Sequence, residues 1–222
     1  GVVNAHTHLE LSGLHGRIPR ATSMPSWARA VMDERPNLAS SLAGRVPYAA
    51  SECRRCGTAL VGDIANTLDS LDTLRTECID ATLFHEFLGF DIEATDAENL
   101  VEPVSRQIAE RLNGRVQIRA AAHAPYSVSA ELFCAIGRLP GPRSVHLAES
   151  EEEVEFLLSG GGPWRNILEE RGRMSRAWVP PGLRPVDYLE SVGWLRDDTI
   201  AVHGVQLIGD EIDRLAQAGT TL

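Results

Sequence analysis

Lysine is absent: all 21 basic residues of the 222-residue chain are arginines. A mechanism that needs a lysine amine or a modified lysine therefore has no carrier among these residues. Cysteine is scarce, with four in total. Cys53 and Cys56 form a C-x-x-C, but the stretch Ala49–Gly57 reads as the last turns of a helix capped by Gly57, and no second C-x-x-C accompanies it. Two helix positions one turn apart explain the pair, and reduced thiols with a cytoplasmic location are the expectation. No apolar run approaches the roughly 18 residues of a membrane span, and no charged-then-apolar leader marks a signal peptide. The net charge is −10 with no basic cluster, which excludes nucleic acid and anionic membranes as expected partners. A small-molecule substrate is the expected partner, and a homodimer is compatible with the sequence.

What is present is a regular alternation. With 43% hydrophobic residues, the chain can bury a sizeable core. Short β-rich runs occur near Val2–His6, Thr58–Ile64, Thr82–Phe87, Val116–Ala122, Ser144–Leu147 and Thr199–Val202. Amphipathic stretches of helical character lie between them, among them Asp69–Asp80, Ala97–Leu112, Glu151–Leu158 and Asp210–Ala218. Strand and helix in alternation predict α/β architecture with a parallel sheet and crossover helices. Six units are visible, and Thr220–Leu222 reads as the opening of a seventh strand. The expected fold is a TIM-like (β/α)8 barrel with about six to seven units present, so that residues 1–222 form one barrel domain incomplete at both ends. An open doubly wound sheet is the alternative, weakened because no Gly-rich dinucleotide turn follows the first strand. Between the fifth and sixth strands, Ser159–Trp164 and Val179–Gly182 carry Gly/Pro punctuation. They predict a long loop, either a substrate-recognition element or a surface insertion.

Five of the seven histidines fall at strand ends. His6 and His8 close the first strand two residues apart, so a period of two puts both imidazoles on one face. His123 ends the fourth strand, His146 lies on the fifth and His203 ends the sixth. In a barrel the C-terminal strand ends meet at one mouth, where such residues become candidate metal ligands and catalysts. Glu149, three residues after His146, is placed to move protons near a metal-activated water. The acids that follow have a structural explanation: Ser150 reads as an N-cap, Glu153 as the other half of a capping box, and Glu151–Glu153 as first-turn acids favoured by the helix dipole. His15 reads as a solvated loop histidine and His85 as a core one. Glu10 and Glu86 are candidates for substrate contact, and Asp63 for support of a ligating histidine.

These pieces resemble the amidohydrolase superfamily, in particular its chlorohydrolase and nucleobase-deaminase branch. The resemblance rests on Asn4-Ala5-His6-Thr7-His8, His123-Ala124-Pro125-Tyr126-Ser127, His146-Leu147-Ala148-Glu149 and Val202-His203-Gly204. It implies one divalent metal, zinc or iron, held by His6, His8 and His146. It further implies Glu149 as the proton shuttle, His203 as the group that orients and polarises the water or substrate, and His123 on the substrate. The absence of lysine fits a mononuclear site, because binuclear relatives bridge their metals with a carboxylated lysine. The family's last ligand, an aspartate at the end of strand eight, is expected beyond Leu222, and the family's small terminal β-sandwich has no counterpart here. Details such as His8-Leu9-Glu10-Leu11-Ser12, Phe87-Leu88-Gly89-Phe90 and Pro180-Pro181-Gly182 look like aminodeoxyfutalosine deaminases.

The implied activity is hydrolytic deamination of an aminopurine-like ring through a metal-activated water. Hydrolysis of a cyclic amide, or of a C–N or C–Cl bond on a triazine-like ring, is the alternative within the superfamily. An inactive truncated fragment is the alternative outside it.

Overall fold

A computed structural model describes residues 1–38, 42–110 and 114–222. Six strands are ordered β1-β2-β3-β4-β5-β6. They are β1 (Val2–Thr7), β2 (Thr58–Ala65), β3 (Asp80–Phe87), β4 (Val116–Ala122), β5 (Arg143–Leu147) and β6 (Thr199–His203). The order runs without a reversal, whereas a doubly wound sheet reverses at its switch point. Two compact units divide the chain: Gly1–Glu86 with Gln107–Arg119, and Phe87–Arg106 with Ala120–Leu222.

The first unit holds β1, β2 and nearly all of β3, all parallel. Helices α1 (Met24–Glu34) and α2 (Leu42–Arg55) lie between β1 and β2, and α3 (Ser70–Thr76) follows β2. Gly62 is dictated by packing, since a Cβ there would lie 2.2 Å from the Ala5 carbonyl oxygen of β1. The segment expected as one helix over Asp69–Asp80 stops at Thr76, because Cys78 takes a left-handed φ of 56° and Asp80 already begins β3. The C-x-x-C falls where expected, at the end of α2, and its thiols are free.

The second unit pairs the end of β4 with β5 and β5 with β6, again in parallel. Every residue of β5 is buried, as a strand covered on both faces requires. Helices α4 (Ala94–Glu110), which crosses from this unit into the first, and α5 (Ala130–Gly137) flank β4, and α6 (Glu151–Ser159) follows β5. Part of the helix expected over Ala97–Leu112 lies outside the described residues. Thr221 pairs with β6: its N–H donates to Thr199 O at 3.0 Å and its carbonyl accepts from Ala201 at 2.8 Å, the expected opening of a further strand.

The segment between β5 and β6 departs from the expected loop. It contains α7 (Gly162–Glu170) and α8 (Pro185–Ser191). The glycines that suggested a loop are helix punctuation: Gly160 ends α6 at φ 70°, Gly161 is the N-cap of α7, and Pro163 sits in its first turn. The remainder is anchored. Trp178 stacks on Phe156 at 5.0 Å and 5°, and Ser175 N–H donates to the Asp91 carboxylate at 2.6 Å.

At the start of β5, Arg143 is the polar keystone of this unit. Its side chain is 4% exposed and pairs with Asp198 at 2.9 Å. It also donates to Gly137 O at 2.7 Å and Leu139 O at 3.3 Å, and lies 5.5 Å from the centroid of the fully buried Trp194 ring. Removing so many charge-assisted bonds strands their acceptors. Arg143→Ala should cost about 3 kcal/mol in urea unfolding, whereas Arg138→Ala, at the exposed pair with Glu98, should stay within ~0.5 kcal/mol of the parent. Equal effects would refute the ranking.

Candidate active site

In the first unit, β1 carries His6, and His8 caps a short 3-10 helix over Leu9–Leu14. The two rings lie edge to face, 4.9 Å apart. Asp63 supports the turn after His8: its buried carboxylate accepts the Leu9 N–H at 2.9 Å and the Ser70 hydroxyl at 2.6 Å. Burial pushes Asp63 up to about 6 against those two bonds.

Glu10 and Glu86 belong to one polar network. Glu10 accepts the Asn66 N–H at 3.1 Å, the Thr67 N–H at 3.3 Å and the Arg35 guanidinium at 2.6 Å. The Asn66 amide nitrogen donates to the Glu86 carboxylate at 2.9 Å and to the Glu86 carbonyl at 3.1 Å. Glu10 therefore ties the turn after β1 to the turn after β2, a structural duty its position in the sequence did not reveal. Burial pushes Glu86 up to about 8, with the Asn66 bond opposing. His15 is exposed, and burial takes His85 down to about 4, which keeps it neutral.

The second unit gathers His123, His146, Glu149 and His203. The His123 carbonyl accepts both the His146 main-chain N–H at 2.9 Å and its Nδ1 at 2.7 Å. A carbonyl can only accept, so Nδ1 carries the proton and Nε2 the lone pair, the state in which imidazole binds a metal. The Ser127 hydroxyl, 3.1 Å from Ala124 O and 2.6 Å from His123 Nδ1, holds the His123 ring in place. The His146 ring lies 5.0 Å from that of His123 and stacks on that of His203 at 5.3 Å. A neutral imidazole of fixed tautomer fits a zinc- or iron-type ion.

Glu149 Oε1 lies 3.3 Å from His203 Nε2. An ion pair would lower the carboxyl and raise the imidazole. The reverse occurs: burial pushes Glu149 up to about 7 and His203 down, so desolvation outweighs attraction and the neutral pair is favoured. A carboxyl near neutrality both accepts and returns a proton readily. Ala148 and His203 hold left-handed φ values of 52° and 82°, costly for residues with a Cβ and frequent at functional sites. The loop after His203 is tied down by Gly204 N–H to Leu147 O at 2.9 Å and Gln206 N–H to Ala148 O at 2.8 Å. Arg184 clamps it further, donating to Gln206 O and to the buried Glu211 carboxylate, each at 2.8 Å.

Only half of the expected capping box at α6 forms. Ser150 Oγ accepts the Glu153 N–H at 3.3 Å, but the Glu153 carboxylate reaches back to the N–H groups of Ala148 at 3.1 Å and Glu149 at 2.8 Å. Glu153 is 0% exposed, and burial pushes it up to about 8 against its main-chain bonds. Its sequence signal was its place on the inward stripe with Phe156 and Leu157, where an acid must find partners.

The amidohydrolase family profile matches residues 1–222. The chain is 28% identical to 5'-deoxyadenosine deaminase of Methanopyrus kandleri, over 99% of this chain and 48% of that protein. It is 29% identical to aminodeoxyfutalosine deaminase of Deinococcus radiodurans, over 98% and 54%. The chain thus spans about half the length of the curated relatives it matches. Among solved structures, Helicobacter pylori aminofutalosine deaminase in complex with methylthio-coformycin superposes with a TM-score of 0.83 at 21% identity, covering 98% of this chain and 53% of that one. That likeness establishes the barrel-type fold.

Glu86 supplies a pH test. Its folded value, about 8, lies above the ordinary 4.5, so the folded state holds the proton more tightly. That contribution to stability is complete below about 4.5 and disappears as pH rises through about 8. Glu86→Gln, which mimics the protonated form, should gain on the parent as pH rises from 5.5 to 8.5 in thermal melts (roughly this window). The same offset at both pH values would contradict the assignment.

Proposed function

Because the chain belongs to the amidohydrolase family, we propose that it carries the catalytic residues of a hydrolytic deaminase acting on an adenosine-like 6-aminopurine. The carrying observation is the half-buried Glu149 carboxyl, pushed up to about 7, beside His203 and three residues from His146, whose tautomer is fixed. The curated relatives named above are deaminases of adenosine-like compounds, which favours deamination over triazine or cyclic-amide hydrolysis.

His6, His8 and His146 would hold one divalent ion, zinc or iron. When bound, the ion supplies Lewis-acid activation of a water. Glu149 takes a proton from the attacking water as its oxygen bonds to the carbon bearing the amino group, and passes it to the adjacent ring nitrogen. The proton remaining on that oxygen then goes to the amino group as the oxygen becomes the ring carbonyl, the C–N bond breaks and ammonia leaves. His203 stabilises charge developing on the attacking oxygen. His123 and the network of Glu86 and Glu10 are assigned to the substrate.

Glu149→Gln in the complete protein should lower kcat by about 10²- to 10⁴-fold while metal content, read by elemental analysis, is retained. Turnover near the parent level would remove Glu149 from the mechanism.

A further inference from the structure

The turn joining β5 to α6 carries Glu149 and contains a residue in an unfavourable backbone conformation, Ala148 at φ 52°. Something must hold it there. The group in contact is the Glu153 carboxylate, with one oxygen on the Ala148 N–H at 3.1 Å and the other on the Glu149 N–H at 2.8 Å. Glu153 is itself held in place. It is fully buried, belongs to the inward stripe of α6, and has its own N–H fixed by Ser150 Oγ at 3.3 Å. From the other side, the Ala148 carbonyl accepts Gln206 N–H and the Leu147 carbonyl accepts Gly204 N–H, flanking His203.

We propose that Glu153 is a positioning residue that clamps the Ala148–Glu149 backbone and thereby aims the Glu149 carboxyl at its reaction partners and at His203. A glutamate serving only in a capping box would accept the N-cap N–H, here that of Ser150. This one spends both oxygens on the residues that precede the cap. A small error in aim is costly, because proton transfer requires heavy atoms within hydrogen-bond reach. Glu153 touches neither substrate nor metal, and its effect passes through Glu149. The inference rests on the reading of Glu149 as the proton-transfer group.

The test is Glu153→Gln in the complete, metal-loaded protein at about pH 9, above the value of about 8 to which burial pushes Glu153, so that the parent carries the ionised carboxylate. Glutamine keeps the shape and one acceptor but turns an NH₂ toward a main-chain N–H. Exchange of the Ala148 and Glu149 amides should accelerate by at least about tenfold. Metal content should be unchanged, and kcat should fall about 10- to 100-fold with KM within about threefold. Adding Ala148→Gly should restore part of kcat, since glycine takes φ near +50° without strain. If Glu153→Gln does not fold, Glu153→Asp, too short to span both N–H groups, is read by the same measurements. Unchanged amide exchange overturns the clamp. Faster exchange with unchanged kcat overturns the positioning role and leaves a structural one. Failure of the underlying reading looks different: Glu149→Gln would keep full turnover while the two amides still responded to Glu153.

Discussion

The His146 side chain and main chain both end on a single acceptor, the carbonyl of His123. That double bond-pair couples the end of β4 to the end of β5 and settles which imidazole nitrogen keeps its lone pair. Much of the second unit's chemistry depends on it. Once His146 is fixed, the next turn must bring Glu149 round within two residues, and the chain manages this through the left-handed Ala148. The strain is sustained by surroundings that leave little freedom: Glu153 on one side, the loop following His203 on the other. Low dielectric then does the chemical tuning. Burial dominates charge pairing for both Glu149 and His203, which leaves a carboxyl poised near neutrality.

Much of this arrangement was legible in the sequence. Short β-rich runs marked the strands, and five histidines stood at their ends without any alignment of relatives. The parallel order followed from alternation of two periodicities. What escaped shares a physical cause. Gly160 to Pro163 signals a break in a helix, yet a break followed by a new helix and a break followed by a loop begin with the same residues. Distinguishing them needs the burial of Trp164 and Ile167, which is a tertiary fact.

Side-chain acceptors were harder still. Glu153 satisfied a local rule well enough that its partners two residues beyond the cap were hidden. Asp63 was read as support for a ligating histidine, and its carboxylate accepts the Leu9 N–H, in the turn after His8, and the Ser70 hydroxyl. Glu10 was read as a substrate contact, and its carboxylate proves to be engaged by Arg35, Asn66 and Thr67. For Asp63 and Glu10 the residue type was correct for a buried acceptor, while the choice of donor depended on chain segments distant in sequence.

If these residues serve hydrolytic removal of an amino group from a purine-like ring, the most direct measurement is ammonia release by the complete, metal-loaded protein, with 6-aminopurine nucleosides and cyclic amides offered side by side. Stoichiometric ammonia and the corresponding 6-oxopurine are expected from the nucleosides, with no turnover of the amides. Ring opening of the amides with no ammonia from any nucleoside would contradict this reading.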